Sequence, residues 1–153
     1  AIISVSDVPV FVGVGGGLTA GDRSVRLAVE AENQGAFGVV VNAPIDPKVI
    51  SSIKECVDIP VIATIVSEKQ DIEERLRAGA DILNVSAAAR TPEIVAHIRA
   101  LYPKIPIIAT GGPTDESILK TIHAGANSIT YTPPTNGELF AISMNKYRGT
   151  YVE

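Results

Sequence analysis

Residues 105–134 read IPIIATGGPTDESILKTIHAGANSITYTPP, a complete strand, turn, helix and second strand. The run 105–110 is short, apolar and β-branched, the pattern of a strand covered on both faces. Gly111-Gly112-Pro113 makes a sharp turn that leaves backbone N–H groups facing outward. Thr114, Asp115 and Glu116 supply an N-cap and an acidic first turn for a helix carrying Ile118, Leu119 and Ile122. Gly125 stops that helix, and 127–132 reads as the next strand. A crossover this long cannot be a hairpin, so the two strands run parallel. The glycine turn therefore lies at the carboxyl end of a parallel strand, where ligands of α/β sheets bind.

The same unit repeats along the chain. Val8-Pro9-Val10, Ile59-Pro60-Val61 and Ile105-Pro106-Ile107 open strands at intervals of 51 and 46 residues. Gly35-Ala36, Gly79-Ala80 and Gly125-Ala126 stop helices at intervals of 44 and 46. Each stop precedes a second strand, at 37–42, 81–86 and 127–132. Regularity of this kind marks a repeat architecture, here three βαβα units. The intervening helices are signalled in turn. Residues 22–34 carry Val25, Leu27, Ala28 and Val29, and Asp46-Pro47 opens a helix to Cys56 as N-cap and first-turn proline. Ser67 with Gln70 has capping-box spacing ahead of Ile72 and Leu76, and Thr91-Pro92-Glu93 opens a helix through Leu101. A closing helix is expected over 136–148.

Length and composition agree with one α/β domain over residues 1–153. The chain is 46% apolar and 20% charged, which excludes extensive disorder. A net charge of −4 and a pI near 5.2, with no Lys/Arg cluster, argue against nucleic acid. The single Cys56 cannot form an internal disulfide and reads as a small buried hydrophobe. No secretory-leader pattern and no apolar run of membrane-spanning length is present, so the expectation is a cytoplasmic domain without a membrane partner.

Four βαβα units would close a (β/α)8 barrel; three give six strands. Placing Pro9 on Pro60 puts Ala1 inside a helix, at Ser52. The expectation is a TIM-type (β/α)8 barrel represented by strands three to eight, its first quarter missing. The alternative is an open, doubly wound parallel sheet. The first reading leaves exposed sheet edges, which predicts self-association into a homo-oligomer or a partner chain.

IPIIATGG followed by a helix and AGANSITY resembles the last two βα units of phosphate-binding (β/α)8 barrels. That group includes N-acylmannosamine-phosphate epimerase, thiamine-phosphate synthase, the histidine-pathway isomerase, IMP dehydrogenase and the nitronate monooxygenases. The resemblance implies a phosphate held between two turns, Gly111 and Gly112 on the first and Thr132 on the second. Thr114 stands beside them, and helix N-termini favour anions on independent physical grounds. One departure is clear: Tyr131-Thr132-Pro133-Pro134 replaces the glycine-serine type of final turn, and prolines carry no N–H. The stretch 8–44 also resembles the middle of the dihydrodipicolinate synthase and N-acetylneuraminate lyase barrels, without their Tyr and Schiff-base Lys.

Aligning the repeats places Asn42, Ser86 and Thr132 at one position and Gly13, Thr64 and Thr110 at another, with Asn84 two residues before Ser86. These polar strand tips form a candidate pocket of Asn42, Thr64, Asn84, Ser86 and Thr110. No strong acid or base stands among them, so no catalytic residue is assigned. Asp46, Glu68, Asp115 and Glu116 sit in first turns, where capping explains them. Arg90, in the loop after Ser86, is the cation placed to reach a ligand anion or to lie solvated. No metal site is expected. The glycine stretch 13–17 lacks GxGxxG spacing and excludes a dinucleotide fold, leaving close backbone approach, a mobile loop or simple permissiveness. The sequence thus points to an isomerase, epimerase or lyase for a small phosphorylated or carboxylated metabolite. The alternatives are a non-catalytic ligand-binding or regulatory barrel, an FMN-dependent oxidoreductase using the same glycine turn, and a hydrolase.

Overall fold

The computed structural model describes residues 2–132 and 134–149, so Pro133 of the final turn lies outside the described residues. The elements are β1 Phe11–Gly15, α1 Asp22–Asn33, β2 Gly38–Val41, α2 Pro47–Lys54, β3 Val61–Ile65 and α3 Ile72–Arg77. They continue with β4 Ile82–Val85, α4 Thr91–Leu101, β5 Ile107–Thr110, α5 Asp115–His123, β6 Ser128–Thr130 and α6 Asn136–Gly149.

The six strands pair in the order β1-β2-β3-β4-β5-β6, every pair parallel. That order decides between the two architectures. A doubly wound sheet reverses direction at a switch point, which puts helices on both faces. Here the chain always steps to the same side, and right-handed crossovers then lay every helix on one face. The sheet is singly wound, six strands of the (β/α)8-barrel type, and the doubly wound alternative is set aside.

Alternation along the strands separates a helix-covered face from a concave one. Val39, Val41, Val61, Ala63, Ile65, Leu83, Val85, Ile107 and Ala109 are fully buried and pack with Ile50, Ile53, Ile94, Val95 and Ile98 of the helices into one core. The alternate residues point to the concave side. There Val40, Ile62 and Ile82 lie opposite one another in register and make an apolar floor.

The amino ends of the strands are fastened by polar clasps. Asp81 accepts from the Val61 N–H at 2.9 Å and from Lys54 Nζ at 2.8 Å. Asn127 repeats the device one unit on, its Oδ1 accepting from the Ile107 N–H at 2.9 Å and from Arg99 at 2.7 Å. Arg99 also donates to the carbonyls of Gly125, Pro103 and Ile105, each within 2.8 Å. The first repeat has Phe37 where the others have Asp81 and Asn127, and it packs edge-on against Phe11 with ring centroids 5.6 Å apart.

Two local expectations change. The N-cap of α3 is Asp71, whose side chain accepts from the Glu74 N–H. Gln70 instead folds back to accept from the N–H groups of Val66 and Ser67, so the Ser67–Gln70 pair shapes the turn before the helix. Cys56, read as buried, is exposed, because it follows the last turn of α2 rather than facing the sheet. At the far end of the sheet, α6 buries none of its residues and Phe140, Ile142 and Tyr147 stand exposed.

Candidate functional site

Above the apolar floor, the concave face turns polar in two rows. In the lower row Asn84 Nδ2 donates to Thr64 Oγ1 at 3.2 Å, and the Thr64 hydroxyl donates to Asn42 Oδ1 at 3.3 Å. In the upper row Thr130 donates to Thr110 at 3.4 Å and Thr110 to Ser86 at 3.1 Å. Parallel register produces this. Thr64 lies opposite Asn84, and Thr110 opposite Thr130, so polar tips at equivalent repeat positions become neighbours. The five sequence-predicted pocket residues Asn42, Thr64, Asn84, Ser86 and Thr110 therefore fall on one surface, in two ladders. Thr64 is buried, while Asn42 and Ser86 reach solvent.

A cavity of about 740 Å³ opens at the end of this face. Thr110, Gly112, Thr130, Tyr131, Thr132 and Glu138 are among its lining residues, so the Thr110–Thr130 end of the upper ladder and the glycine turn share one hollow. The two glycines of the turn do different work. Gly111 is buried, and a Cβ there would meet Ile129 at 2.6 Å and Ile118 at 2.7 Å. Its N–H donates to the Thr130 carbonyl at 3.4 Å, so it serves strand-to-helix packing. Gly112 holds φ at 84°, a conformation that side chains disfavour, and its N–H has no partner among the described residues.

The start of α5 is a capping box. Thr114 Oγ1 accepts from the Ser117 N–H, and Ser117 Oγ accepts from the Thr114 N–H. Thr114 is thereby occupied by its own helix. Thr132 lines the cavity, and the acidic Asp115 and Glu116 stand in the first turn of α5.

Arg90 follows β4 through a single helical turn, Ala88–Arg90, and is half-exposed. Its guanidinium pairs with Glu68 from the loop after β3 and with Glu93 in the first turn of α4. The Arg90 hydrogen bond and charge hold the Glu68 carboxyl below the ordinary carboxylate range, and Glu68 in turn raises Arg90. Arg90 is thus tied into a clasp between two loops. The glycine stretch after β1 shows close backbone approach: a Cβ on Gly16 would sit 2.1 Å from the Asn42 carbonyl oxygen. The Asn42 N–H donates to the Gly15 carbonyl at 2.8 Å, stitching the two loop bases together.

Glu138, Thr130, Tyr131 and Thr135 enter the cavity without having been foreseen. Glu138 lies in the predicted closing helix, and its Oε2 accepts from both the N–H and the hydroxyl of Thr135 at 2.7 Å. Those bonds hold its carboxyl below the usual range. The T-x-x-E spacing of Thr135 and Glu138 was the available signal. Among the described residues no group of three or more His, Cys, Asp or Glu stands together to hold a metal. No helix of the described residues is long and apolar enough to cross a membrane.

No protein-family model and no curated protein sequence matches the chain. Its fold matches solved structures. A protein assigned as a phosphonomutase from Burkholderia cenocepacia J2315 superposes with a TM-score of 0.68 at 18% identity, covering 97% of this chain and 71% of that one. Phosphoenolpyruvate phosphomutase from Streptomyces platensis subsp. rosaceus gives 0.65 at 19% identity, covering 96% of this chain and 62% of the other. A mandelate oxidase holding an FMN adduct gives 0.72 at 19% identity, with 85% of this chain and 50% of the oxidase covered. All three are named as enzymes, and the likeness is one of fold: this chain has six strands of a TIM-type barrel.

Proposed function

We propose that this chain carries the small-molecule site of a barrel enzyme, acting on a phosphorylated or carboxylated metabolite by isomerase or lyase chemistry. One observation carries the reading. Thr110 and Thr130 of the upper ladder share a single hollow with Gly112, whose N–H has no partner among the described residues, at the carboxyl ends of parallel strands, the place where barrel enzymes keep their sites. In this reading Gly112 and the Thr132 hydroxyl hold the anion, with the N-terminus of α5 behind them, and the ladders orient the rest of the ligand. The phosphomutase likeness of the fold supports the class of substrate.

A second reading, a ligand-binding barrel without catalysis, is favoured by the ladders' lack of any ionisable group. Glu138, which lines the hollow, is engaged with Thr135, and Glu68 is engaged with Arg90. The donors at Gly112 and Thr132 would serve the phosphate of FMN as well as that of a metabolite, so the flavin is carried in the same test.

The test is a thermal-shift screen with inorganic phosphate, sugar phosphates, phosphoenolpyruvate and FMN, each beside its unphosphorylated counterpart. A ligand at about a hundredfold its dissociation constant adds roughly 2.7 kcal/mol, several degrees of melting temperature for a domain of this size. A shift with a phosphorylated compound that disappears in Gly112→Pro supports the anion site. No shift with any phosphate removes it. Turnover of the responding compound separates enzyme from binding module.

A further inference from the structure

We propose that the hollow at the carboxyl ends takes a zwitterionic ligand, an aminoalkyl phosphate whose phosphate meets Gly112 and whose ammonium meets the Glu138 carboxylate. The proposal rests on the anion site put forward above and assigns the group at the ligand's other end.

The charges around the hollow do not balance. Glu138 lines it and is exposed, and none of the described residues that line it is Lys, Arg or His. The bonds that the carboxylate accepts come from Thr135, and both arrive at Oε2, from the N–H and the hydroxyl at 2.7 Å. Its other oxygen, Oε1, has no partner among the described residues. The two bonds hold the carboxyl below the usual range, so it is charged at neutral pH. The basic residues of α6, Lys146 and Arg148, stand in its last turn. Eight residues separate Lys146 from Glu138. That is about 12 Å of helix, more than a Debye length at physiological salt. Gly112 offers its N–H at the head of α5, but Asp115 and Glu116 in the first turn of that helix bring further negative charge.

A bare phosphate dianion in this hollow meets a hydrogen-bond donor and a like charge together, and the repulsion offsets the bond. A ligand that brings its own cation removes the conflict. An ammonium suits the place, because it is compact and gives up to three hydrogen bonds. Glu138 Oε1 and the exposed hydroxyls of Thr130 and Thr132, all on lining residues, are acceptors for it. Tyr131, 64% exposed, adds an aromatic ring to the same lining, and ring faces attract cations. A divalent metal is the other source of positive charge, and it asks for several oxygen ligands. Among the described residues no group of three or more His, Cys, Asp or Glu stands together to supply them. One carboxylate matches one ammonium.

Calorimetric titration of the full chain compares 3-aminopropyl phosphate with propyl phosphate, and O-phosphoethanolamine with ethyl phosphate, pairs that differ by the amine alone. In at least one pair the amine is expected to bind about fivefold tighter, the upper range for an exposed ion pair, and the preference should shrink as salt rises. Glu138→Gln keeps a side chain that can close the capping box with Thr135, so the variant should fold. There the aminoalkyl phosphate should weaken and the plain alkyl phosphate should not, a split that a general loss of structure does not produce. Should the variant fail to fold, the parent pairs and their salt dependence decide. Equal affinity within both pairs overturns the proposal and leaves the anion site standing. A preference that persists in Glu138→Gln overturns it too, because the amine then meets another group. So does alkyl phosphate binding that appears only with magnesium, since a metal then supplies the charge. If no phosphate binds, the anion site fails and ethanolamine beside ethylene glycol decides. A thermal shift with the amine, lost in Glu138→Gln, upholds the ammonium at Glu138, and no shift overturns it.

Discussion

The same strands finish differently at their two ends. At the amino ends, polar side chains close upon the protein: Asp81 takes the Val61 N–H and Lys54, while Asn127 takes the Ile107 N–H and Arg99. At the carboxyl ends, the lower ladder runs from strand to strand and stops at an acceptor, Asn84 Oδ1, that has no partner among the described residues. Both ends are polar, and both arise from the same repeat. What separates them is satisfaction. A completed set of hydrogen bonds stabilises the fold and has nothing left to offer a ligand, whereas a donor without a partner on an exposed residue, such as the Gly112 N–H, can bind one. The contrast predicts that substitutions at the amino ends will be read in stability and those at the carboxyl ends in ligand affinity.

Arg99→Ala is the strongest challenge to that division. It removes donors from the carbonyls of Gly125, Pro103 and Ile105 and from Asn127 together. Hydrogen bonds to charged groups contribute about 1.5–3 kcal/mol each net of their exchange with water, and water can replace part of this partly exposed set, so a loss of about 3 kcal/mol in urea unfolding is expected. Arg99→Lys should recover little, because an ammonium cannot reproduce the planar fork. A change under about 0.5 kcal/mol, the range of ordinary surface substitutions, would mean that the clasp is ornamental.

Asp81→Ala should cost about 2 kcal/mol, chiefly by stranding the Val61 N–H where the strand begins. The matching change at the other end, Thr64→Val, loses the hydroxyl that joins Asn84 to Asn42 and should cost less than about 1 kcal/mol, because Asn42 can turn to solvent. If Thr64→Val proves the more damaging of the two, the ends have been assigned the wrong way round. Between these lies Thr114→Ala, which removes one half of the α5 capping box. About 1 kcal/mol is expected, with little change in phosphate affinity, because the Thr114 hydroxyl is engaged by Ser117.

How far these ends could be read from sequence differs with the kind of signal. Proline-opened strands and Gly-Ala helix stops gave six strands and their parallel order, since periodicity is a local property that repeats. The polar tips Asn42, Thr64, Asn84, Ser86 and Thr110 were recognised by alignment of those repeats, and register brought them together. The clasps were hidden, although Asp81 and Asn127 follow Gly-Ala in plain view. Their partners Lys54 and Arg99 lie 27 and 28 residues away, on helices whose rotation sequence does not specify. The unmatched Oδ1 of Asn84 was equally invisible, for it depends on Ile108 standing opposite. Arg90 shows the same limit from the other side. Its position suggested a free cation, and two carboxylates from neighbouring turns claim it.

That arginine gives the smallest and sharpest test, because it sits at the carboxyl end yet behaves like a clasp. Arg90 holds the folded Glu68 carboxyl below the usual carboxylate range, first through the hydrogen bond and then through charge. A depressed folded value means that the pair's contribution is present above the unfolded carboxylate range, near pH 4.3, and fades as pH falls through the lower folded value. Both side chains are about half-exposed, so the effect on global stability should be hard to detect. The titration itself is the readout: carbon-detected NMR should show the Glu68 carboxyl moving upward in Arg90→Gln. Phosphate affinity should stay as it was if the guanidinium serves only the two loops. If affinity drops while the Glu68 titration does not move, the arginine belongs to the ligand, and the carboxyl end carries a charge that the ladders lack.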